Sequence, residues 1–184
     1  MNFRPYVLAT LLVPAIAGAA DMDPKAEVFS SLFASLCMKN LHNLEGLRNQ
    51  LATAQVPKLP AEKAAPFLNG GAGDAWPVPH QGDFGNFVLA LPAGKNMCAI
   101  FARRARSADV EQMFNSMVSK APPPLVNEKT IDGRASTVPN GETHTLSYNW
   151  FTPNSPRKMT FTLTTAASDS AQLQAMASAA LTRE

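Results

Sequence analysis

Two cysteines, three histidines and a cluster of three arginines are the residues of this chain best suited to chemistry. Cys37 and Cys98 are its only cysteines. A thiol becomes nucleophilic when cations or a histidine lower its pKa at a helix N-terminus or in a cleft. Cys98 instead stands near the head of the apolar run NMCAIFA, residues 96–102, which reads as a strand interior. Arg103 follows five positions later, roughly 16 Å along an extended chain. Two cysteines in an oxidising compartment favour a crosslink. Closing a loop of roughly 60 residues stabilises by about 4 kcal/mol in the chain-entropy description. A Cys37–Cys98 disulfide is expected, and it would leave no thiol for a Cys–His hydrolase.

His42, His80 and His144 are scattered, with no two at the spacing of a zinc site. The chain has no G-x-S-x-G, H-E-x-x-H or P-loop pattern. The glycine-rich NGGAG of residues 69–73 leads into no helix and makes a poor phosphate cradle. No metal or cofactor is expected. A hydrolase would have to assemble a dispersed site, pairing His80 or His144 with Asp74 or Asp83.

Three features suit a binding surface. GDAWPVPHQGDF, residues 73–84, presents Trp76, His80 and Phe84 on a loop stiffened by Pro77 and Pro79, as recognition loops often are. Arg103, Arg104 and Arg106 stand at a strand-to-helix junction, where they could grip a carboxylate or phosphate. Thr145, Ser147, Asn149, Thr160, Thr162 and Thr164 would share one polar sheet face. Each has a plainer reading: a tryptophan folded back over the core, a solvated turn, and a solvated face rich in threonine for its β propensity.

The elements that must position these residues read as follows. Asp23-Pro24 opens a helix by an N-cap carboxylate and a first-position proline. Val28, Phe29, Leu32, Phe33, Leu36 and Cys37 then keep helical spacing, so Cys37 faces the core. Further helical stretches cover residues 44–54 and 61–68. Residues 85–91 and 96–102 make a hairpin whose second strand is apolar on both faces. Ser107 caps a helix that reaches about residue 120, where three prolines stop it. Residues 125–131 form a strand, and HTLSYNWF and KMTFTLTT alternate strictly as half-buried antiparallel strands. The tail, residues 171–182, fits a strand face or a helix face, and the need to cover a sheet edge favours the strand. The expected fold is α+β: a helical N-terminal region, then β-β-α-β-β-(β or α) in a mostly antiparallel sheet.

The first residues supply the compartment. MNFRPYVLATLLVPAIAGAA places Arg4 before a short apolar run and then small residues, the order of a signal peptide cleaved after Ala19 or Ala20. The run is too short to span a bilayer. Residues 21–184 would then form one disulfide-stapled domain in the periplasm, or secreted beyond it. The chain carries a net charge of +2, and losing Arg4 with the leader lowers it by one. That balance gives no electrostatic case for nucleic acid. With no catalytic constellation visible, the expectation is an exported protein that acts by binding another periplasmic or secreted protein, as an inhibitor, immunity or accessory factor. The dispersed hydrolase and a small-ligand carrier are the alternatives.

Overall fold

The computed structural model describes residues 21–183, and the expected leader lies outside the described residues. Helix α1, Pro24–Leu32, opens where the Asp23 carboxylate accepts from the Lys25 N–H at 3.0 Å. It runs on as a π-helical segment, Phe33–Met38, that carries Cys37. Helix α2, Leu44–Thr53, is capped by Asn43, whose Oδ1 accepts from the Gly46 N–H at 2.9 Å. A short α3, Ala61–Ala64, continues as a 3-10 turn, Ala65–Phe67. Strands β1, Gly73–His80, β2, Asp83–Pro92, and β3, Met97–Ala102, precede helix α4, Ser107–Val118. Strands β4, Val126–Thr137, β5, Gly141–Phe151, β6, Arg157–Ala166, and β7, Ala175–Arg183, complete the fold.

The strands form one seven-stranded sheet in the order β1-β2-β3-β7-β6-β5-β4. Every neighbouring pair is antiparallel. The chain builds one meander, crosses by α4 to the far edge, and meanders back until β7 closes against β3. The α+β class stands, with three strands rather than two before α4 and four after it. The alternating tail is the closing strand.

Closure depends on small residues. Cys98, Ile100 and Ala102 lie opposite Ala179, Ala177 and Ala175. The alanines leave room for Phe29, Phe33 and Cys37 of the first helix, all buried in the same cluster. There Cys37 and Cys98 are joined, with their Cα atoms 5.2 Å apart. The disulfide fastens the helical layer to the middle of the sheet. On the opposite face a smaller apolar cluster packs Ala64 and Leu68 over Ala75, Val88, Ala90 and Ala99.

Two expectations need correction. Residues 73–84 are not a loop: β1 and the start of β2 occupy them, as the outer hairpin of the sheet. Pro77 and Pro79 stand two residues apart, so their missing N–H groups fall on the same side of the strand. On an edge strand that side can be the open one, where a ladder donor is not needed. Gly73, at φ +151°, begins this strand so close to β2 that a Cβ would meet the Leu91 carbonyl oxygen at 2.7 Å. Ser107 is not the cap of α4 either. Arg106 holds that position, and its N–H donates to the carboxylate of Asp23 from the first helix at 2.6 Å.

Candidate binding surface

The expected contact residues do not converge. Trp76 is only 1% exposed and packs in the main core. His80 lies edge-on to the Phe87 ring at 5.8 Å, while Phe84 is 63% exposed. The arginines divide by role. Arg104 donates to the Ala171 carbonyl at 2.8 Å and so holds the β6–β7 connection. Arg106 pairs with Asp109 at 2.5 Å and also donates to the Asp21 carbonyl, tying the start of the described chain to α4. The Asp23 N–H and the Arg106 guanidinium hold the Asp109 carboxyl below its ordinary pKa. Arg103 is left at the surface.

The histidine–aspartate pairings of a dispersed hydrolase are mostly absent. Asp74 on β1 is held by Arg48 at 2.5 Å and Lys58 at 2.8 Å, which clamps α2 and its following segment to the sheet edge. His144 on β5 lies far across the sheet from both Asp74 and Asp83. His80 and Asp83 face one another across the β1–β2 turn as register partners.

His144 instead meets partners that the sequence did not suggest. Its Nε2 is 2.9 Å from Asp132 Oδ1 on β4. Its Nδ1 is 3.1 Å from Glu111 Oε2 on α4, close enough for an ion pair though out of line for a hydrogen bond. Glu111 also accepts from the Thr165 hydroxyl at 2.5 Å, and Lys129 pairs with Asp132. The hydrogen bond to Asp132 and, behind it, the contact with Glu111 raise the His144 pKa against a smaller opposing effect of burial. With a carboxylate at each ring nitrogen, His144 has no free lone pair to act as a general base. The cluster ties the β4–β5 hairpin to α4.

The most exposed strand is β4. All twelve of its residues are exposed, at the edge of the sheet opposite β1. Four large apolar side chains are exposed among the described residues, and three belong to β4 or its turn: Val126 at 39%, Ile131 at 47% and Val138 at 93%. Val126 lies opposite Phe151, and Ile131 opposite Ser147. Alternation along β5 therefore puts both on the sheet face that carries the hydroxyl row.

On that face Thr145 pairs with Thr164 at 3.0 Å, and Ser147 with Thr162 at 2.9 Å. The Thr160 hydroxyl donates to Asn149 Oδ1 at 2.8 Å. These groups satisfy one another across the strands, so covering them costs less than covering solitary hydroxyls. Val126, Ile131 and Val138 were not among the residues singled out by the sequence. The signal was present in VNEKTIDGRAST, where charges interrupt apolar residues as they do on guarded edge strands. No family model, curated protein or solved structure matches the chain.

Proposed function

We propose that this chain is an exported binding protein that acts by contact with another polypeptide, and that β4 with its adjoining hydroxyl face is the contact surface. The observation that carries the reading is the gathering of Val126 and Ile131 on one fully exposed edge strand, with Val138 in the turn that follows it. An unpaired edge offers a row of backbone donors and acceptors to an added strand. Glu128, Lys129, Asp132 and Arg134 are placed to keep indiscriminate pairing away while leaving room for a charge-matched partner.

A photo-crosslinking residue at position 131 should trap a discrete partner in an envelope extract. The same residue at Gln50, exposed on α2, should not. Equal trapping at both positions, or none at 131, would overturn the reading. Crosslinks only between copies of the chain would make β4 a self-association edge instead.

A further inference from the structure

A second surface joins an apolar groove to cations that the fold leaves without partners. Between Phe67, beyond α3, and Leu173, before β7, lies an open groove of about 440 Å³, within the range of small-molecule clefts. Val88 contributes to its floor and Leu59 to one wall. The charged residues along it are Lys63 on α3 and Arg103 just after β3, and no carboxylate lines it. Arg104 and Arg106 are used inside the fold, but among the described residues the side chains of Lys63 and Arg103 have no hydrogen bond or ion pair. Two free cations along an acid-free groove suit an anion.

The rest of the lining decides what the anion is attached to. Pro66 and Pro77 offer no N–H, and Val88 is already paired to Pro77 on one side and Phe101 on the other. Gln172 is the only uncharged polar side chain in the lining. A peptide laid there would bury an amide at every residue with few partners, which is costly. An acyl chain buries none.

The walls are also preformed. The Leu173 N–H donates to Asn140 Oδ1 at 3.1 Å, and the Ala105 N–H donates to Gln174 Oε1 at 2.9 Å. Phe67 packs edge-on against Phe101 at 5.1 Å. Such fixing lowers the ordering cost of binding. We propose that this groove binds a straight-chain fatty acid, its tail against Leu59, Phe67, Val88 and Leu173 and its carboxylate between Lys63 and Arg103.

Calorimetric titration with octanoate, decanoate and dodecanoate, each below its micelle-forming concentration, tests this. Each added methylene should tighten binding about fourfold until the groove is full, the equivalent of about 0.8 kcal/mol per buried CH₂. Dodecanol should bind about tenfold more weakly than dodecanoate, the scale of two exposed ion pairs. The double variant Lys63→Glu/Arg103→Glu should lose at least about tenfold for dodecanoate and nothing for dodecanol, with its melting temperature unchanged. The proposal is overturned if the fatty acids do not bind, if dodecanol matches dodecanoate, or if the double variant still binds dodecanoate normally. It is also overturned if an apolar peptide with a free C-terminus binds where the fatty acids do not. The groove does not involve β4, so this result and the crosslinking from position 131 stand or fall separately.

Discussion

Trp76 and Trp150 bring the same ring to the same core and satisfy it differently. The Trp150 indole N–H donates to the Val118 carbonyl at 2.8 Å, which pins the end of α4 to β5. The Trp76 indole nitrogen is buried without a partner among the described residues. An orphaned buried donor costs about 1–3 kcal/mol. Replacing Trp76 by Phe removes that orphan while sacrificing ring volume, and the two effects oppose. The change should cost about 1 kcal/mol or less in urea unfolding. Trp150→Phe leaves a carbonyl unpaired and should cost more, about 1–2 kcal/mol. Trp76→Ala has no such offset and should lose about 3–5 kcal/mol as a core cavity. If Trp76→Phe proved costlier than Trp150→Phe, the orphan would not be a real burden.

The β4–β5 hairpin is the longest pairing in the sheet, and its side-chain tie to α4 passes through His144. The folded protein raises the His144 pKa above 6.5, chiefly through Asp132 and with help from Glu111, against the opposing effects of burial and, less, of Arg134. The stability this supplies is full below pH 6.5 and is lost as pH rises through the folded value. Lys129 first, and then His144, lower the Asp132 pKa below 3.8, so its contribution is present above that value and is lost only in strong acid. The tie is therefore strongest in mild acid. Between pH 5.5 and 8.5 the wild-type melting temperature should fall more than that of His144→Gln. Parallel curves would show that His144 carries no such linkage.

The legibility of these elements varied for physical reasons. Strict alternation exposed β5 and β6, because each has one apolar and one polar face. The edge strands were harder. In β1 two prolines looked like loop stiffeners, and only the three-dimensional position of the strand shows their missing donors to be harmless. In β4 the expected strand, residues 125–131, is too short, since pairing continues to Thr137 past an irregularity between Lys129 and Ile131. An edge strand with no buried residue has little hydrophobic period to read. The partners of His144 lie on a different strand and a helix, at separations that local spacing does not encode.

At the scale of the whole molecule, stability should grade from the outer edge inward. β3 has every residue but Met97 buried, and β7 sits between β3 and β6, whereas β4 is exposed throughout. Amides in β3 and β7 should therefore exchange with solvent only through global unfolding, while those of β4 exchange through local opening. The Cys37–Cys98 bond acts on the first process alone, because it joins the first helix to β3 and constrains the unfolded chain. Replacing either cysteine, or both, by alanine should cost a similar 2–5 kcal/mol, since each change removes the same bond. Protection in β3 and β7 should then fall by at least about 30-fold, the lower end of that loss expressed as an equilibrium ratio. Exchange in β4 should scarcely change. Hydrogen-exchange mass spectrometry of the wild type and the double variant distinguishes the cases. A uniform loss that includes β4 would mean that the edge hairpin opens only with the core, and a loss confined to the first helix would mean that the disulfide holds that helix without securing the sheet.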